Sequence, residues 1–318
     1  MKIIAEVSSN WHSLDDILYS VKKAKDAGAT DFKLQLFSMS DLYGSHEPEV
    51  IKGVSPVIEP FWIPTIADEC RMQGIGFMCT AFSVAGYEYV NRFVDTHKIA
   101  SAELTDINLL RTVNSFKKPV ILSTAGSDLE EISNALLYLT QCPVTIMFCV
   151  GEYPARVVDF RQLELIKEHF GLGYTYGYSD HSTDVLNIPY FAKLQGCEVI
   201  EKHVNFTNHK DTADAPHSLN FEEFSLMSRK LLNDNIPLKE IDDKTNVLMK
   251  NFYKRRFIAI EEIKQGDKFV LNKNVGIHRA KVHVENPVIT FRYWDIENKI
   301  AIQDKKIGDV ICYSDIEV

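Results

Sequence analysis

The sequence predicts an α/β fold, a (β/α)₈ TIM barrel followed by a small β-rich domain. Three observations carry this. Short strand-like runs alternate with amphipathic helical runs eight times before about residue 235. No G-x-G-x-x-G follows the first strand, so the main signal of a doubly wound open sheet is missing. From residue 256 the helical pattern gives way to short strands and turns.

The units run in order. "KIIAEVS" (2–8) is a short apolar strand, followed by a helix over 13–28 with Ser13 as N-cap and Gly28 as stop. "FKLQLF" (32–37) alternates as a strand, and an excursion rich in Ser, Gly and Pro (38–60) separates it from a helix at 63–73. The next pairs are strand 76–82 with helix 84–94, 97–103 with 107–116, and 119–126 with 128–141. The last three are 144–150 with 161–170, 175–181 with 187–196, and 197–204 with 220–232. The predicted divisions are a barrel at 1–234, a polar linker with helical character at 235–255, and a second domain at 256–318. That domain holds the phrase "IAIEEIKQGDKF" and, later, "IAIQDKKIGDVI", a weak repeat that predicts two similar β-turns.

Composition narrows the function. The chain has 318 residues, 45% hydrophobic and 25% charged, an ordinary globular balance. A net charge of −9 argues against non-specific binding to nucleic acid or an anionic membrane, though not against a small anionic substrate. No apolar run reaches the roughly eighteen residues of a membrane span. Glu6 interrupts the first apolar stretch, unlike a signal peptide. Six cysteines lie scattered without a C-x-x-C, the usage of reduced thiols. A cytoplasmic protein is expected.

Chemistry in a barrel of this class sits at the C-terminal ends of the strands. Those ends carry Glu6, Lys33, Gln35, Cys79, Thr80, Lys98, Ser101, Glu103, Ser123, Thr124, Glu152, Tyr153, Ser179, Asp180, His181, Glu201, Lys202 and His203. Lys33 and Lys98 fall in largely apolar strands, where an unpaired ammonium is costly, so an anion should meet them. Glu103 is part of the answer, and the hydroxyls of Thr80, Ser101 and Ser123 point to a bound phosphate or carboxylate. His181 and His203 end neighbouring strands about 4.8 Å apart, close enough to share one metal ion. Spacing alone leaves a metal pair and two hydrogen-bonded histidines equally open.

These residues resemble the N-acetylneuraminate (sialic acid) synthase family, which includes synthases of legionaminic and pseudaminic acid. The matching stretches include "IAEVSSN", "AKDAGATDFKLQ", "KIASAELTDINLL", "KPVILSTAG", "YGYSDHS", "GCEVIEKHV" and "DTADAPHSL", and they cover most of 3–220. Residues 255–318 resemble, more distantly, the family's antifreeze-like (SAF) domain. The resemblance implies a domain-swapped homodimer that condenses phosphoenolpyruvate with an N-acyl amino sugar in its aldehyde form, with C–O cleavage and loss of phosphate. It implies Mn²⁺ or Mg²⁺ on His181 and His203, acting on the aldehyde, and a phosphoenolpyruvate pocket of Lys33, Gln35, Thr80, Lys98, Ser101 and Ser123. Glu103 matches the acidic residue near the reacting carbon. Glu6, Tyr153 and Asp214 match positions facing the sugar or a metal-bound water, Ser179 accompanies the histidines in the S-D-H run, and Phe82 matches an apolar wall. Arg279 matches an arginine that reaches the partner's site.

Three segments depart from the family pattern. N-H-x-G reads Asn10-Trp11-His12-Ser13, H-C-T-N-x-Y-P reads Phe148-Cys149-Val150-Gly151-Glu152-Tyr153-Pro154, and D-H-x-x-S reads Asp214-Ala215-Pro216-His217-Ser218. They bear on the sugar more than on the reaction. One alternative is a phosphoenolpyruvate–aldose synthase using a phosphorylated sugar, which would need a second cationic cluster. The others are a non-catalytic barrel that binds a ligand and an aldolase with a Schiff-base lysine.

Overall fold

The computed structural model describes residues 1–38, 41–42, 57–234, 255–279, 287–288, 290 and 293–317. Most of the excursion at 38–60 and nearly all of the linker at 235–255 lie outside the described residues. The chain divides into two compact units, Met1–Leu238 and Lys239–Val318.

In the first unit, eight parallel strands close a barrel in sequence order, with β8 paired to β1. They are β1 (Lys2–Glu6), β2 (Asp31–Leu36), β3 (Gly76–Ala81), β4 (His97–Ile99), β5 (Val120–Ser123), β6 (Val144–Cys149), β7 (Thr175–Asp180) and β8 (Val199–His203). The helices that follow are α1 (Leu14–Asp26), α2 (Ile63–Gln73), α3 (Val84–Val90), α4 (Ile107–Ser115), α5 (Leu129–Tyr138), α6 (Arg161–Phe170), α7 (Asn187–Leu194) and α8 (Phe221–Leu232). Ser13 caps α1 as its sequence predicts: its hydroxyl accepts from the amide of Asp16, whose carboxylate accepts from the Ser13 amide in return.

Strand alternation sorts the side chains. Ile3, Phe32, Leu34, Ile99, Leu122, Ile146, Tyr178 and Ile200 join the core shared with the helices. Their neighbours Ile4, Met78, Ile121, Met147 and Val199 form a separate apolar plug inside the barrel. Burying one such side chain stabilises the fold by about 1.5–3 kcal/mol. Gly177 faces the same plug, where an added Cβ would stand 3.0 Å from the Val199 carbonyl oxygen and 3.2 Å from the Met147 methyl. Two residues further along each strand, the inward positions turn polar.

One strand ends sooner than its sequence predicts. The run 97–103 is a strand only through Ile99, and Ser101–Glu103 forms a 3₁₀ turn. The Glu103 and Leu104 amides bond back to the carbonyls of Ala100 and Ser101, so local turn bonds replace the ladder there.

The S-D-H and E-K-H runs each interleave two jobs. Ser179, His181, Glu201 and His203 face inward, whereas Asp180 and Lys202 face outward and are fully buried. Lys202 Nζ lies 2.6 Å from Asp180 Oδ2 and also donates to the carbonyls of Ser182 and Asp184, at 2.5 and 3.2 Å. Asp180 accepts further from Tyr178 and from the Ser182 amide. This lock joins the ends of β7 and β8 directly behind the two histidines.

The second unit contains an antiparallel pair, β9 (Arg255–Ala259) and β10 (Val275–Arg279), over a core that includes Phe257, Ile263, Phe269, Val288, Ile296 and Ile311. The repeated phrase pairs with itself. Bridges join Ile258 to Val310, Ile263 to Lys305 and Lys268 to Ile300, so the two copies run antiparallel across a local two-fold axis. Each copy turns through a left-handed glycine, Gly266 (φ 94°) or Gly308 (φ 96°). Each turn is closed the same way, by Asp267 accepting from the Lys264 amide and Asp309 from the Lys306 amide, both at 2.8 Å.

Removing one partner of the buried lock leaves a charge without its counterion. Lys202→Met is expected to lower the unfolding free energy by about 3–5 kcal/mol, and Asp180→Asn/Lys202→Met to recover part of that loss. Urea unfolding measures both. A loss below about 1 kcal/mol in the single variant would show that the lock carries little.

Candidate active site

The C-terminal mouth of the barrel opens into a cavity lined by strand ends. β1 supplies Glu6, β2 Lys33 and Gln35, β3 Thr80, β4 Lys98, β5 Ser123, β6 Cys149, and β8 Glu201 and His203. Ser179 of β7, with Ser101, Tyr153 and His181 just beyond strand ends, completes the polar wall. Most of the residues singled out from the sequence therefore converge. Phe82, Glu103 and Asp214 stand outside this lining. Phe82 packs edge-on against Phe37, with ring centroids 5.6 Å apart. Arg279 ends β10, and its side chain lies outside the described residues.

Two carboxylates that the sequence did not assign to the lysines stand beside them. Lys33 Nζ is 2.5 Å from Glu6 and 3.7 Å from Glu201, and Lys98 Nζ is 3.4 Å from Glu201. Glu201, at the start of E-K-H, bridges both ammonium groups and also accepts from Ser179 at 3.1 Å. Its distance from the lysines in sequence hid it. Burial raises the Glu6 carboxyl, with Lys33 only partly offsetting it. Burial also works against Glu201, but Lys33 and Lys98 together outweigh it and bring that carboxyl down to about 2. Lys33 and Lys98 thus stand together at this end, two ammonium groups on the wall of one cavity. The Ser123 hydroxyl is buried there with no hydrogen-bond partner. Both features suit an incoming anion.

Imidazoles line the other end. Nδ1 of His181 donates to the Val150 carbonyl at 2.6 Å, so a neutral ring carries its lone pair on Nε2. The Tyr153 hydroxyl donates to that atom at 3.1 Å, and the tyrosine ring stacks on the imidazole at 4.0 Å. Burial lowers His181 to about 4 and pushes His203 well below its usual value. The His181 and His203 ring centroids are 5.7 Å apart.

The loop after β8 adds two groups. Asp214 receives the amide and hydroxyl of Ser9, and its Oδ1 lies 3.2 Å from His217 Nε2 and 3.9 Å from His203 Nδ1. Burial disfavours the Asp214 charge, but His217, His203 and Ser9 outweigh that and hold the carboxyl well below its usual range. Asn10 braces the loop by donating to the Val204 carbonyl and to Ser218, at 2.9 and 2.8 Å. His217 was legible only as a departure from the family pattern. Glu152, by contrast, pairs with Arg156 outside the cavity.

These groups fit a divalent cation. His203, Asp214 and His217 each place one donor atom within 4.8 Å of the others, His203 Nδ1 is buried without a hydrogen-bond partner, and His181 stands beside them with its Nε2 on the Tyr153 hydroxyl. Neutral nitrogens with one carboxylate suit an ion with open positions.

Comparison with known proteins agrees with this architecture. Residues 20–241 match the model of the NeuB family, which is most of the chain. The chain belongs to the NeuB family. It is similar to a pseudaminic acid synthase of Campylobacter jejuni subsp. jejuni serotype O:2, 29% identical over 99% of this chain and 96% of the relative. An N,N'-diacetyllegionaminic acid synthase of the same organism is 28% identical over 97% and 98%. Among solved structures, the N-acetylneuraminic acid (sialic acid) synthetase of Leptospira borgpetersenii serovar Hardjo-bovis shares the fold. Its TM-score is 0.67 at 23% identity, over 78% of this chain and 90% of that one.

Burial raises the Glu103 carboxyl to about 7, with Lys98 offsetting only part of it. Between the usual carboxylate range and about 7, the folded chain therefore holds a proton that the unfolded chain has lost. Its stabilising contribution is complete at low pH and fades as the pH rises through about 7. Glu103→Gln should accordingly gain stability relative to the native protein from about pH 5 to about pH 8. Urea midpoints across that range measure it, and a difference that does not change with pH would rule it out.

Proposed function

We propose that this protein is a nonulosonic (sialic-type) acid synthase, joining phosphoenolpyruvate to an N-acyl amino sugar aldehyde and releasing phosphate by C–O cleavage. One observation supports this above the rest: a single cavity joins an end with two lysines and buried hydroxyls to an end with two histidines. The names of the relatives agree with it.

Lys33 and Lys98 orient the phosphate and carboxylate of phosphoenolpyruvate, with Ser123, Ser101, Thr80 and Gln35 completing the pocket. Its C3 attacks the aldehyde carbon, and positive charge develops at C2. Glu103, near Lys98 and ionising near neutrality, stabilises that charge or takes the proton of the water that adds there. The tetrahedral carbon then expels phosphate. Tyr153 and Asp214 face the sugar, and Ser179 holds Glu201 in place. When bound to His181 and His203, a divalent ion, Mn²⁺ or Mg²⁺, supplies Lewis-acid polarisation of the aldehyde.

A phosphate-release assay with phosphoenolpyruvate, Mn²⁺ and a panel of N-acyl amino sugars tests the reaction. Release with one sugar and none without it is expected. Glu103→Gln should lower kcat about 10²-fold with a modest change in KM. His181→Ala and His203→Ala should abolish turnover, and a chelator should silence the enzyme until Mn²⁺ is restored. Phosphate release in excess chelator would overturn the metal requirement, and no release with any sugar would overturn the reaction.

The second unit is proposed as an antifreeze-like domain that completes the site of a second subunit, in a domain-swapped homodimer. Arg279, a planar donor, would there bind the acyl group of the sugar. Mixing Arg279→Ala with His181→Ala subunits tests the exchange, because the heterodimer has one intact site and one doubly damaged site. Recovered activity is expected. Heterodimers as inactive as either parent would refute the exchange.

A further inference from the structure

A second group of ligating side chains lies apart from the cavity. His12, in the loop after β1, and His209 and Asp211, in the loop after β8, each place one donor atom within 4.8 Å of the other two. None of the three lines the cavity. His12 Nε2 is 3.3 Å from Asp211 Oδ1, and the imidazole rings of His12 and His209 lie 3.9 Å apart with a 34° tilt. We propose that these three residues form a separate site for a divalent transition ion of the Zn²⁺ or Ni²⁺ class, joining the two loops.

The surroundings are built to present these donors. Asp16 lies 3.1 Å from His209 Nε2 and also accepts the amides of His12 and Ser13, at 2.8 and 3.2 Å. A carboxylate behind an imidazole fixes the ring and raises its basicity as a ligand. Asn205 clamps the His209 carbonyl at 2.5 Å, and Asn208 beside it takes a left-handed conformation (φ 59°). The His12–Asp211 contact is too exposed, at 47% and 74%, to hold two loops together by itself. Two imidazoles and one carboxylate select a borderline ion over Mg²⁺ or Ca²⁺, which favour all-oxygen shells. Open positions and exposure make the ion exchangeable. Its consequence reaches inward, because residues 205–219 also carry Asp214 and His217 to the cavity mouth. An ion at the outer end of that loop would limit its motion and so tune the sugar end of the cavity, a role that rests on the proposed reaction. Binding itself does not.

The test is equilibrium dialysis of the full chain against Zn²⁺ at neutral pH, with Mg²⁺ in parallel. The native protein should bind one equivalent more Zn²⁺ than His12→Ala or His209→Gln, and Asp211→Asn should bind it at least about tenfold more weakly. Mg²⁺ should not occupy this site. His203→Ala separates the two centres, because it removes only ion held in the cavity. If the cavity takes no metal, the native protein binds one equivalent and His12→Ala none, so the difference of one survives failure of the proposed reaction. Hydrogen exchange over 205–219 should slow on adding Zn²⁺ to the native protein and remain unchanged in His12→Ala. Metal-free thermal midpoints of His12→Ala and Asp211→Asn should match the native one, since both side chains are exposed. Equal Zn²⁺ stoichiometry and affinity in native protein and His12→Ala would overturn the proposal, and so would unaltered exchange in the loop.

Discussion

Two ammonium groups inside a barrel repel each other and lose their water, and the polar end of this barrel depends on how that cost is met. Glu201 stands between Lys33 and Lys98, within 3.7 and 3.4 Å of them, and carries their charge together with a hydroxyl bond from Ser179. Glu6 closes against Lys33 from the neighbouring strand. Burial raises the Glu6 carboxyl, and Lys33 offsets only part of that. The same residues thus keep the lysines buried while holding their ammonium groups at the cavity wall.

Strand period couples this arrangement to stability. Inward residues of β7 and β8 build the site, and outward residues of the same runs, Asp180 and Lys202, form a fully buried ion pair behind it. The plug below, from Ile4 to Val199, packs the barrel interior beneath the cavity. A shift of one residue in either strand would exchange the two sets, sending histidines into the helical layer and the ion pair into the cavity. Register and chemistry are therefore fixed together.

The barrel was legible because eight strand–helix units repeat a pattern that burial enforces. Most of the cavity lining was legible too, because strand ends in this fold point to one mouth. What escaped depends on contacts distant in sequence or on local bonding. Glu201 was visible as a strand-end carboxylate, but not as the bridge between two lysines from β2 and β4. Glu103 sits on a 3₁₀ turn rather than on the strand its flanking apolar residues predicted, because the amides there bond backward. His217 gives no periodic signal. It is a loop residue brought in by Asp214, Ser9 and Asn10, which lie some two hundred positions apart in the chain. The roles of Arg279 and of the linker depend on side chains and residues outside those described.

The self-paired repeat of the second unit has a consequence of a different kind. Each copy of the phrase is the template against which the other closes its hydrogen bonds, so a single copy is only half of a matching pair. A segment of this sort is self-complementary: it offers its copy the same hydrogen-bonding edge that the copy offers it. The near-equal glycine angles and the matching aspartate closures of the two turns follow the same symmetry. The two turns are therefore coupled, because the backbone pairing that closes one copy is the same pairing that closes the other.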